Sequence, residues 1–224
     1  MKALQILLTS LVFAGLTLAQ APSARVRIVH ASPDAPAVDI YVDGAVALDG
    51  IKYLDATDYV DLPAGQRIFQ IFVAGTQTKV AELNATLTPG NTLTVVAAGF
   101  AAKTPALRVL VLADNIPNDI TNPYVRVVHA APSAPAVDVY VGAPFQTLAK
   151  RSAALTGVPF AAASGYLPLR PNTGYQARVT PAGTKTIAIE SGRLSFPAGT
   201  AWTVFAVDKV GGGAPFTFLA LQDR

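Results

Sequence analysis

The residues best suited to chemistry in this 224-residue chain are two histidines, since the sequence contains no cysteine. His30 and His129 each end an aliphatic run and precede a segment with two prolines. A histidine so placed could hold a metal or act as a general base, and either role needs convergent partners. Asp34 and Asp39 are the candidates near His30, but Ser133 stands where a second Asp34 would be, so His129 keeps only Asp138, too few ligands for zinc. A Ser-His-Asp reading would enlist Ser32, His30 and Asp39. Ala131 replaces the serine in the second copy, and no Gly-x-Ser-x-Gly elbow occurs. Gly211 to Gly213 lack the Lys-Ser/Thr that a phosphate loop requires and suggest a flexible hairpin loop. Asn84-Ala85-Thr86 fits the glycosylation sequon. Asp43, Asp49, Asp55, Asp58 and Asp61 offer the oxygens that a hard cation takes, without the spacing of a calcium loop. The matching stretch of the second copy carries Lys150 and Arg151, which favours a solvated acidic loop in the first. The expectation is no catalytic residue, no metal and no cofactor.

Those residues belong to a long internal repeat. Arg25 to Gly44 reads RVRIVHASPDAPAVDIYVDG and Tyr124 to Ala143 reads YVRVVHAAPSAPAVDVYVGA, so His30 aligns with His129, Asp39 with Asp138 and Tyr41 with Tyr140. Weaker echoes follow in the same order: Tyr59 to Gly65 with Tyr166 to Gly174, Thr88 to Val96 with Phe196 to Phe205, and Leu107 to Asp114 with Phe216 to Asp223. The spacing of about 100 residues is that of a domain rather than a solenoid unit. Asn115 to Pro123, rich in Asn, Asp and Pro, favours turns and marks the join.

Within a copy, Val38, Ile40 and Val42 alternate with Asp39, Tyr41 and Asp43, the period of a half-buried strand. Further runs rich in Val, Ile, Phe and Thr lie between Gly- or Pro-bearing turns. Only Phe145 to Leu155 suggests a helical turn. Many short strands without helices imply an all-β fold, here two tandem antiparallel immunoglobulin-like β-sandwiches, although the Cys-Trp-Cys signature of antibody domains is absent.

The N-terminus sets the compartment. Lys2 precedes an apolar stretch from Ile6 to Leu18 that ends in small residues, the pattern of a secretory signal peptide cleaved after Ala19 or Ala21. Its apolar core is shorter than the ~20 residues of a membrane span. The expected organisation is a signal peptide over residues 1–21, a sandwich over 22–119, a linker at 120–122 and a second sandwich over 123–224. The mature chain, without a transmembrane segment, would be exported to the periplasm, the cell surface or the medium.

At the strand-turn-strand motif the chain resembles the bacterial and archaeal family called domain of unknown function 4397, whose members carry a stretch similar to VHASPDAPxVDVYVDG. Val29 to Gly44 matches it closely. The second copy departs at Ala131, Ser133, Gly142 and Ala143. The resemblance implies an exported, sandwich-like domain, often in tandem, and brings no catalytic residue to carry over.

The motif's polar residues Arg27, His30, Asp39 and Tyr41, and their repeats Arg126, His129, Asp138 and Tyr140, are expected to serve the structure. If the opening strands form a hairpin with Ala31 opposite Ala37, Arg27 reaches Asp39 diagonally on the outer face, and Arg126 reaches Asp138. The histidines, sharing the inward parity of Val26 and Ile28, would cap the core edge and bond turn backbone. Charge divides unevenly: Arg25 to Asp119 holds seven basic and ten acidic residues, net −3, while Pro123 to Arg224 holds nine and four, net +5. Such halves should attract within one chain or head to tail between chains. The leading reading is a non-enzymatic structural or binding protein of the cell envelope, with an envelope protein or glycan as partner. The alternative is carbohydrate binding through Tyr41, Tyr53, Tyr59, Tyr140, Tyr166 and Trp202 as stacking faces, and a hydrolase is the third reading. Nucleic acid is excluded because the basic residues are scattered without an aromatic platform.

Overall fold

The computed structural model describes residues 21–119 and 121–224. The signal peptide expected over residues 1–21 lies outside the described residues except for Ala21. Eight strands come from the first repeat: β1 (Ser23–Ala31), β2 (Val38–Val42), β3 (Ala45–Ile51), β4 (Val60–Pro63), β5 (Gly65–Val73), β6 (Lys79–Leu87), β7 (Thr92–Ala98) and β8 (Arg108–Ala113). They form two sheets, β4-β1-β7-β8 and β3-β2-β5-β6. The second repeat answers with β9 (Tyr124–His129), β10 (Val137–Gly142), β11 (Leu155–Val158), β12 (Leu167–Pro168), β13 (Gln176–Pro181), β14 (Ile189–Glu190), β15 (Ala201–Val207) and β16 (Thr217–Gln222). Its sheets are β12-β9-β15-β16 and β11-β10-β13-β14. Among the described residues all strand pairings are antiparallel except β1–β7 and β9–β15, whose partners are joined by long crossovers that permit a parallel register.

Strand β1 shows why the sheets stack. Ala24, Val26 and Ile28 face the core of the first sandwich together with Val38, Ile40, Phe69 and Ile71. Val29 and Ala31, of opposite parity, enter a second core with Val96, Val128, Phe205 and Val207. That second core lies between the sandwiches. Because side chains alternate faces along a strand, a strand with both parities apolar must be covered twice. The result is four layers, with the two β1- and β9-bearing sheets inside and the two β2- and β10-bearing sheets outside.

The opening motif is not a hairpin. Strand β2 pairs with β3 and β5, while β1 pairs with β4 and β7. The segment between β1 and β2, with Pro33 and Pro36, arches from the inner sheet to the outer one, which removes the diagonal Arg27–Asp39 and Arg126–Asp138 pairs. Proline has no N–H for a ladder, so a two-proline segment suits an arch better than a hairpin turn. Phe145 to Ala154 forms irregular turns instead of a helical one, pinned by buried Leu148, and Leu155 already opens β11. Gly211 to Gly213 do lie in the β15–β16 hairpin loop, but the loop is docked on the first repeat rather than free: the Gly211 N–H donates to Pro33 O at 2.7 Å and Gly212 packs on Phe100.

Candidate functional site

The motif's arginines lie in the seam between the sandwiches. Arg27 is 3% exposed and reaches Asp223 Oδ1 at 2.6 Å and Thr94 Oγ1 at 2.9 Å. Arg126, also 3% exposed, reaches Asp114 Oδ1 at 2.5 Å and Thr203 Oγ1 at 2.8 Å. Each pair joins one repeat to the other. The second oxygen of each carboxylate is held at home: Asp114 Oδ2 accepts from the hydroxyls of Tyr59 and Thr94, and Asp223 Oδ2 from those of Tyr166 and Thr203. The bonds close a ring, from Arg27 to Thr94, Asp114, Arg126, Thr203, Asp223 and back. Tyr59 lies 4.7 Å from the Arg27 guanidinium and Tyr166 lies 4.8 Å from that of Arg126, a cation–π cover on each side. Burial raises the hydroxyl pKa values of both tyrosines, so they stay donors at any ordinary pH.

Periodicity placed Arg27 correctly on the face opposite Val26 but wrongly in water, because the second sandwich covers that face. Asp114 and Asp223 lie outside the opening motif, and sequence reasoning does not single them out. Their signal was present, as the repeat aligns them with each other just as it aligns the arginines.

The histidines pin the arches. His30 Nε2 lies 3.2 Å from Pro36 O, and the Ser32 N–H points to Nδ1 at 3.3 Å. His129 repeats this with Pro135 O at 2.9 Å and the Ala131 N–H at 3.3 Å. The geometry selects the neutral tautomer with the proton on Nε2, since Nδ1 must accept. Both rings are 1% exposed, and burial above all lowers their pKa values. Tyr53 and Phe160 cover them edge-on at 6.2 Å. A ring with both nitrogens engaged by backbone has neither a free lone pair for a metal nor one for a substrate proton.

The aspartates are turn clamps. Asp39 accepts from the Gly50 and Gly75 N–H groups at 2.8 and 2.9 Å, and Asp138 from those of Gly157 and Gly183 at the same distances. The Gly50 bond first, then Gly75, holds the Asp39 carboxyl below the usual range. Tyr41 packs edge-on against Phe72 at 4.9 Å, while buried Tyr140 takes a hydrogen bond from Lys185 Nζ at 3.0 Å.

A family model described as a domain of unknown function, DUF4397, matches residues 24–140 and again 123–224. The chain belongs to the DUF4397 family. The overlap of the two matches, residues 123–140, holds the second arch. Among solved structures, a family 41 carbohydrate-binding module from streptococcal virulence factors, described as recognising α-glucan, is 15% identical at a TM-score of 0.28, covering 88% of this chain and 96% of its own. A maltoheptaose-bound family 26 module from Eubacterium rectale is 8% identical at 0.26, covering 89% and 97%. No curated protein matches the chain.

In this DUF4397 protein the aromatics named for stacking make internal contacts. Tyr59 and Tyr166 sit in the seam, and the Tyr53 hydroxyl crosses it to donate to Asp208 O at 2.7 Å. Trp202 packs edge-on to Phe196 at 6.0 Å. Of the acidic run, Asp43 pairs with Arg67 at 3.3 Å and Asp55 accepts the Lys52 N–H. Among the described residues no three His, Cys, Asp or Glu side chains are grouped to hold a metal ion, and no helix is long and apolar enough to cross a membrane.

Proposed function

We propose that this protein is a non-enzymatic structural or binding protein of the cell envelope, acting as one rigid four-layer unit. The observation that carries this reading is the closed ring of Arg27, Thr94, Asp114, Arg126, Thr203 and Asp223. It uses the strongest charged groups of the motif to fix one sandwich on the other. The connection is braced as well: Asp119 accepts from Thr121, Asn122 and Tyr124, and Arg224 donates to Pro117 O and Asp119 O. A rigid body whose histidines are spent on backbone serves display and contact, through its outer sheets and loops, better than turnover. Export rests on Lys2 and the apolar run Ile6 to Leu18, and an intact mass beginning at Gln20 or Pro22 in the native envelope tests it.

The functional test applies purified mature protein to isolated envelope fractions and to a glycan panel, with ester and glycoside substrates assayed in parallel. The expected result is saturable retention on envelope material without turnover. Turnover that vanishes in a folded His30→Gln, His129→Gln variant would overturn the reading.

A further inference from the structure

The second sandwich is not filled as the first is. In the first repeat Val42 lies opposite Phe69, and Phe69 opposite Leu83, all three in or against the core. In the second, Val141 lies opposite Ala177, and Ser191 takes the place of Leu83, its N–H bonded to Ala177 O at 2.8 Å. A phenyl ring and an isobutyl group have given way to a methyl and a hydroxymethyl group. The space they leave is a cavity of about 260 Å³ between the two sheets. Val26, Phe69 and Val95 are buried in the first sandwich, whereas their counterparts Val125, Ala177 and Val204 line the cavity and are half-buried. Trp202, standing where the first repeat has Leu93, lines it without closing it.

The walls define what the cavity accepts. Among the described residues no charged side chain lines it. The Tyr175 hydroxyl takes the Arg170 N–H at 2.7 Å, and the Ser191 hydroxyl donates to Gly192 O at 2.7 Å, so both are already engaged by backbone. Ser195 stands at the exposed edge. A sugar entering would lose water from its hydroxyls and regain few hydrogen bonds, and a charged ligand would fare worse.

We propose that this cavity is a binding site for a neutral hydrophobic molecule made of one aromatic ring and a short alkyl group. The first repeat supplies that shape from its own chain, as Phe69 and Leu83, at the equivalent place. Size agrees, since an apolar cavity of ~150 Å³ takes up benzene. The inference goes beyond the envelope role and stands without it.

Trp202, the only tryptophan, is a reporter in the wall. The test titrates n-butylbenzene into the mature protein while following Trp202 emission and Tm. A saturable blue shift with a rise in Tm is expected, and maltose should produce neither. Ala177→Phe should fill the cavity, shift the emission without ligand and abolish the response, and Ser191→Leu serves the same purpose should Ala177→Phe misfold. The proposal is overturned by a wild-type protein that gives no saturable response up to the solubility limit of butylbenzene, or by a response of equal affinity in either folded filled variant. A response to maltose in place of butylbenzene would overturn the ligand class.

Discussion

Arg27 and Asp223 lie 196 residues apart in sequence and 2.6 Å apart in space, with side chains 4% and 0% exposed. Truncating one member of a buried ion pair leaves the other charge desolvated and costs about 3–5 kcal/mol. Arg27→Met and Arg126→Met should each lower the unfolding free energy read from a urea titration by an amount of that order. Because Thr94 links Arg27 to Asp114, and Thr203 links Arg126 to Asp223, the two sites should not behave independently. A double-mutant cycle should show a coupling of about 0.5–3 kcal/mol. Strict additivity would mean that the ring does not act as one network.

The histidines predict an acid limb of stability. Burial depresses the folded pKa values of His30 and His129 below the unfolded value of about 6.5, so between the two values the unfolded chain binds more protons. Their contribution is therefore complete above pH ~6.5 and lost progressively as the pH falls below it. Thermal melts from neutral pH downward should show this loss, and His30→Gln with His129→Gln should flatten it while lowering Tm at neutral pH. An unchanged slope in the double variant would place the protons elsewhere.

The two aspartate clamps should differ in strength although their partners match. Asp138 is 6% exposed, whereas Asp39 is only half-buried and its bonds to Gly50 and Gly75 lie where solvent can replace them. Asp138→Ala removes two part-buried hydrogen bonds, from the Gly157 and Gly183 N–H groups, at about 0.5–1.5 kcal/mol each. Asp39→Ala should cost clearly less, by the same urea titration. Since Asp39 is held ionised by its glycine contacts, its share is present above the usual carboxylate pKa and fades as the pH falls below it.

Much of the architecture was legible because repeat and period-two alternation are local signals. Val38, Ile40 and Val42 identified a half-buried strand, and the repeat identified two equivalent bodies. Periodicity says which side chains share a face, but not what lies against that face. Periodicity alone therefore leaves Arg27 on an outer face, which the partner sandwich, with Asp223, covers. The same limit hid the arch, since two strands joined by a short segment can pair with each other or cross between sheets. The cavity was out of reach for a different reason. The match of Phe69 with Ala177 needs the strand registers, because the spacing between the repeats changes after β10.

The charge imbalance, −3 against +5, suggested salt-sensitive attraction between the halves. The seam alters that expectation for a single chain. Its ion pairs are buried and backed by the apolar core of Val29, Val96, Val128 and Phe205, so mobile ions reach them poorly. Raising salt from ~10 mM to ~1 M shortens the screening length from ~30 to ~3 Å, which weakens exposed charges and leaves such pairs in place. X-ray scattering of the monomer should therefore give the same radius of gyration at both ends of that range. The imbalance remains available between molecules, where a negative sandwich of one copy can meet a positive one of the next in a heterologous contact. Sedimentation should then show mass above the monomer at low salt and monomer alone at high salt. A radius that grows with salt would mean that the seam opens and is held by surface charge. A mass that never changes would remove self-association and leave the imbalance without a role in assembly.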